Sequence, residues 1–131
     1  MTTPFDDFPE KLDVLTIHAT LIAETGGTSG IRDEALLESA LAAANNRYRY
    51  EAADVVSCAA TYAYHLTQSH AFWDGNKRVA AAITEAFLET NGFELTMSND
   101  EIVALFLVIA SSKLSREEIE GRLRDKVRLK N

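Results

Sequence analysis

The chain has 131 residues, 47% of them hydrophobic, with one cysteine, 13 basic and 20 acidic side chains and a formal charge of −7. That length fits one domain with enough core to stand without a structural metal, Cys58 has no second cysteine for an internal disulfide, and the acidic balance argues against direct nucleic-acid binding, which needs a basic footprint. No apolar run approaches the roughly 18 residues of a membrane span, and Met1–Asp7 lacks the positive region and apolar core of a signal peptide, so a cytoplasmic protein is expected.

Leu12, Leu15, Ala19 and Ile22 recur at helical steps and predict a first helix stopped at Gly26-Gly27, where a C-cap takes positive φ. Asp33 can cap a second helix through Leu36, Leu37, Ala40 and Leu41. Asn45 to Tyr50 reads as a loop. A third helix is predicted from Ala52 to Ser69, with Val55, Val56, Ala59, Ala63 and Leu66 on its apolar side and Cys58 as a buried small side chain. Val79, Ile83, Phe87 and Leu88 mark a fourth, stopped by Asn91-Gly92. Alanine in both allows close approach, so the third and fourth helices are expected at the centre. Phe93 to Met97 could extend, but one isolated strand makes no sheet. Ser98-x-x-Glu101 and Ser115-x-x-Glu118 have capping-box spacing and predict helices over 99–111 and 116–129, with Gly121 a weak point in the last. The basic tail from Arg122 alternates with Leu123, Val127 and Leu129, which fits a docked terminal helix as well as a partner site. The reading is an all-α domain of about six helices over residues 1–131.

Chemistry concentrates in His70-Ala71-Phe72-Trp73-Asp74-Gly75-Asn76-Lys77-Arg78. A glycine followed by a helix start presents unpaired backbone N–H groups and a favourable dipole to a phosphate. Two cations there are mildly unfavourable unless an anion offsets them, although a solvated basic helix start reads the same way. Arg78 can grip two phosphate oxygens with its fork, and Lys77 is a movable point charge. Asp74 suits Mg²⁺ as a hard oxygen ligand, or caps the helix. Asn76 can donate to a phosphate oxygen or hold the loop in shape. His70 has the chemistry to take a hydroxyl proton, or it is a C-cap or partly buried histidine. Phe72 reads as a buried anchor of the loop, and Trp73 as either an entrance residue or a core cover. His18 and His65 form no convincing metal set with His70.

This run has the form H-x-F-x-D-G-N-K-R, which closely resembles the signature of the Fic/Doc family, specifically its Doc (death-on-curing) toxin branch with Lys before the final Arg. The likeness extends to Gly26-Gly27-Thr28-Ser29-Gly30-Ile31-Arg32-Asp33, to Leu36 through Leu41, and to Phe87-Leu88-Glu89-Thr90-Asn91-Gly92. The resemblance implies a compact helical domain with the signature loop between two core helices, and a small target-aligning flap in or near residues 45–50. It also implies His70 as the catalytic base, Gly75, Asn76, Lys77 and Arg78 on the phosphates of ATP, and Asp74 on Mg²⁺.

Departures within the loop bear on which group is transferred. Adenylyl-transferring Fic loops have Gly where this chain has Lys77 and a second Arg where it has Ala81. That difference favours the Doc geometry, in which the nucleotide is inverted and the γ-phosphate is delivered. Gly75, common in Fic loops where Doc has Ala, points the other way, and Val79 in place of the Thr of many Doc relatives is a packing variation. The leading expectation is a toxin that phosphorylates a hydroxyl on a cytosolic protein, with a translation elongation factor as the family-based target. A cognate antitoxin whose C-terminal segment blocks the site is the implied partner, since Ser39-Ala40-Leu41-Ala42-Ala43 lacks the Glu of a self-inhibitory helix. Transfer of AMP to a protein hydroxyl is the alternative chemistry, and a catalytically silent protein-binding module the alternative class.

Overall fold

The computed structural model describes residues 7–130, so Met1–Asp6 of the segment read above for a leader lie outside the described residues, as does Asn131. Short polar side chains start most of the helices. Asp33 accepts from the Leu36 N–H and opens α2 (Glu34–Glu51), and Asp54 accepts from the Ser57 N–H and opens α3 (Val55–Gln68). Ser98 and Ser115 form full capping boxes with Glu101 and Glu118, opening α5 (Asn99–Ala110) and α6 (Arg116–Arg124). With α1 (Lys11–Thr25) and α4 (Asn76–Thr90), these make six helices among the described residues. The Gly26 N–H closes α1 onto the Ile22 carbonyl at 2.8 Å, where the glycine φ is 80°.

Helix α3 is the centre of the molecule. Every residue from Val56 to Ala63 is buried, and α3 packs against α2, α4, α5 and α6, most extensively against α4. Its alanines bring the helix axes close, so larger side chains from the neighbours complete the core: Leu37, Ile83, Leu88, Ile109, Ile119 and Leu123, all at most 2% exposed. Each such side chain contributes about 1.5–3 kcal/mol through its removal from water. Tyr62 meets Phe87 edge-on at 5.1 Å. Cys58 is wholly buried, its Sγ 3.6 Å from the Ala44 carbonyl oxygen, as the apolar surroundings predicted.

Three local readings are corrected. Residues 45–50 are not a loop but the last turns of α2, which runs to Glu51 and ends on Ala52 in the left-handed region. Tyr48 packs on Phe8, and Arg47 is fixed by the Ser57 carbonyl and the Thr61 hydroxyl, contacts that compensate for weak local helix signals. A flap therefore cannot lie in residues 45–50. The last helix stops at Arg124 rather than 129, because Val127–Leu129 forms β2, which pairs antiparallel with β1 (Phe93–Leu95). The extended segment thus has a partner, and a two-stranded ribbon joins the helical fold. Arg128 seals it with two bonds of 3.1 Å to the Glu94 carboxylate. Gly121 lies inside α6 without ending it.

Candidate functional site

The His70–Gly75 loop joins α3 to α4, the two helices at the centre of the fold. Gly75 occupies the N-cap of α4 with φ 81°, and no side chain caps the helix. A Cβ there would lie 3.3 Å from Ile22 Cδ1 and 3.6 Å from His18, so a side chain would be strained by the positive φ and would also press on the end of Ile22. The Val79 N–H, bonded to the Gly75 carbonyl at 2.9 Å, is the first in this helix to find an intrahelical partner. The N–H groups of Asn76, Lys77 and Arg78 precede it, at the positive end of the helix dipole. Lys77 and Arg78 are exposed beside this helix end, and Arg78 also donates to the Thr25 hydroxyl.

Asp74 is exposed, and it is not the cap of α4. Its Oδ2 accepts from the Thr28 N–H at 2.7 Å. That bond, with further contributions from the Thr28 side chain, Arg78 and His18, holds the carboxyl below the usual carboxylate range. An ionised carboxylate next to a phosphate cradle repels its anion unless a cation stands between them. Magnesium commonly uses one or two carboxylates and completes its shell with waters and substrate phosphates. Asp74 fits that demand, and among the described residues no group of three or more His, Cys, Asp or Glu could hold a metal ion by itself.

Both polar ends of the Asn76 side chain serve the loop. Oδ1 accepts from the Phe72 N–H at 3.1 Å and Nδ2 donates to the Phe72 carbonyl at 3.0 Å, closing the turn on itself. Of the two sequence alternatives for Asn76, holding the loop in shape is the one this geometry supplies, while its backbone N–H remains at the helix start. Phe72 is the buried anchor, 3% exposed, whereas Trp73 is 58% exposed and covers no core. Phe72 stacks on His18 at a centroid distance of 3.9 Å and 11° between ring planes.

His70 is exposed and has φ 51°. His18, 3% exposed, has a role that sequence reasoning missed: its Nε2 lies 2.8 Å from the Asp74 carbonyl oxygen, which can only accept, so Nε2 is the donor. The available signal was its placement on the apolar side of α1, four residues before Ile22, but the loop it supports is 56 residues away. Arg32 and Thr28 were likewise quoted only as part of a resemblance. Residues 26–33 run alongside the loop, with Ile31 bridged to Phe72, Arg32 and Asp33 N–H groups on the Ala71 carbonyl at 2.7 and 3.0 Å, and the Arg32 side chain on the His70 carbonyl. His65 stands elsewhere, its Nε2 3.3 Å from Arg116, and burial, with Arg116 and Arg47 nearby, lowers its pKa.

A cavity of about 340 Å³ opens beside Lys77, Arg78 and Ala81, walled by Ile102, Val103, Phe106 and Leu107 of α5. Cationic groups at one margin and apolar walls at the other suit a ligand with a charged end and a flat apolar end.

No curated protein matches the chain. The sequence profile of the Fic/DOC family matches residues 8–88, more than half of the chain, and this interval contains α1 to α3, the loop and nearly all of α4. The chain belongs to the Fic/DOC family.

Proposed function

We propose that this protein is a Doc-like toxin that transfers the γ-phosphoryl group of ATP to a hydroxyl of another protein. Members of the Fic/DOC family are typically transferases that modify proteins and generally use ATP and a metal ion. The observation that carries the reading is the gathering of a base, a carboxylate, two cations and an uncapped helix start on one loop of nine residues. His70 takes the proton of the acceptor hydroxyl as its oxygen attacks the γ-phosphorus, and the bond to the bridging oxygen breaks to release ADP. The N–H groups of Asn76, Lys77 and Arg78, with the Lys77 and Arg78 side chains, receive the phosphates. Asp74 holds the magnesium ion, which when bound offsets phosphate charge. The cavity beside Ala81 has space and apolar walls for the base of the nucleotide.

Lys77 and Ala81 favour phosphoryl over AMP transfer, because moving cations along the loop changes which phosphorus faces the attacking oxygen. ATP labelled at the γ or at the α phosphorus, supplied in parallel with candidate elongation factors, separates the two. Label from the γ form alone is expected, and label from the α form alone would establish the Fic-like adenylyl transfer instead. In the same assay His70→Ala should lower transfer by about 10²-fold or more. Arg78→Ala should impair ATP use more than loss of Arg116, and Asp74→Ala should blunt the response to Mg²⁺. A folded His70→Ala protein with undiminished transfer would remove the histidine from the chemistry. The inhibitory partner proposed is an antitoxin acting in trans; a short reading frame beside the gene whose product stops transfer would support it.

A further inference from the structure

The segment Gly26–Asp33 stands apart from the residues that meet ATP in the proposed reaction, yet it holds the loop that carries them. Thr28 binds the Asp74 carboxylate, Gly30 accepts from the Trp73 N–H at 3.5 Å, Ile31 pairs with Phe72, and Arg32 and Asp33 share the Ala71 carbonyl. One side chain of this segment reaches the base itself: Arg32 Nε donates to the His70 carbonyl oxygen at 2.7 Å. His70 is one of three described non-glycine residues with positive φ, at 51°. Glycine would take that conformation at lower cost, and of the three residues, the others being Ala52 and Ser112, only His70 lies in the signature loop.

We propose that Arg32 is a positioning residue for His70, resting on the assignment of His70 as the base. Among the described residues, no hydrogen bond from a side chain orients the His70 imidazole. A base is ordinarily aimed by a third group bonded to its ring. Here the aim comes from the main chain. With φ at 51° and its carbonyl tied to a charged donor, the residue's Cα–Cβ bond has a fixed direction, which limits where the ring can be carried. If φ returned to the right-handed region, the direction of the Cα–Cβ bond would change and the carbonyl would leave Arg32. The Arg32 backbone is independently fixed by its N–H on Ala71, so the guanidinium is anchored one residue from the carbonyl it holds. A misplacement of about 1 Å at a reacting group is enough for about a 10²-fold loss of rate.

Arg32 is exposed, so its substitution removes the anchor without opening the core. Arg32→Ala should lower kcat by about 10- to 100-fold while leaving the KM for ATP near wild type. Arg32→Lys, which keeps charge without the planar fork, should behave like Arg32→Ala. In a His70→Ala background, loss of Arg32 should add no further decrease, because its effect passes through the missing base. Backbone ¹³C shifts and the three-bond coupling at His70 provide a readout independent of transfer, and in Arg32→Ala they should lose the left-handed signature of the wild type. Failure of wild-type transfer would refute the proposed reaction while the backbone readout still decided the positioning. Retention of the left-handed signature in Arg32→Ala, or equal losses from Arg32→Ala with and without His70, would overturn the role of Arg32.

Discussion

Asn76 offers the sharpest test of how the loop keeps its shape. Asn76→Ala removes the acceptor of the Phe72 N–H and the donor to the Phe72 carbonyl, bonds of 3.1 and 3.0 Å in a partly buried setting. At about 0.5–1.5 kcal/mol net per hydrogen bond, the pair contributes about 2 kcal/mol, rising toward about 3 kcal/mol where the Phe72 N–H is left without water. For a chain of this size 1 kcal/mol moves the melting temperature by about 3–6 °C, so the alanine variant should melt about 6–12 °C below wild type. Asn76→Asp sharpens the sign: it keeps the acceptor but sets a carboxylate oxygen against the Phe72 carbonyl, and despite its near-identical shape it should lose at least as much. Thermal unfolding followed by far-UV circular dichroism measures both. An alanine variant melting within about 2 °C of wild type would refute the clamp. An aspartate variant as stable as wild type would show that the donor to Phe72 contributes nothing.

His18→Phe keeps a ring against Phe72 but loses the donor to Asp74, whereas His18→Ala loses both; the alanine variant should be destabilised by about 2–4 kcal/mol and the phenylalanine variant by less, and equal denaturant midpoints would contradict this division. Burial pushes the Cys58 thiol up to about 12. A thiol reagent at neutral pH should therefore label this cysteine only after unfolding, and rapid labelling of the native protein would contradict its burial. Burial opposes ionisation of Asp54, but the Ser57 N–H and Arg124 outweigh it and lower its folded pKa below 3.8. Its contribution to stability is therefore complete above 3.8 and is lost as the pH falls through the folded value. Asp54→Asn should melt with a shallower acid dependence than wild type, and superimposable pH profiles would refute that contribution.

The spacing of apolar residues and the short polar caps were enough to place α1, the start of α2, α3, α4, α5 and the start of α6, because these are signals between neighbours three or four residues apart. The loop was equally legible: a base, a carboxylate, a glycine and two cations lie within nine positions, and those residue types can be read without knowing what packs around them. Residues 45–50 and 127–129 were misread for a common reason. Asn45-Asn46 and the last tail residues have weak local preferences, and their states depend on distant partners: Thr61 and Ser57 for Arg47, and Phe93 to Leu95 for Val127 to Leu129. The same division runs through the candidate site. Sequence could name Asp74, Asn76 and His70, but it left open whether Asp74 capped the helix and whether Asn76 faced phosphate or loop. The structure decided both: Asn76 turns back onto Phe72 only four residues away, whereas Thr28 and His18 reach Asp74 from 46 and 56 residues away and Arg32 reaches His70 from 38. Hydrogen bonds between remote segments require the chain to have folded before their donors and acceptors meet, and no pattern along α1 or residues 26–33 specifies that meeting.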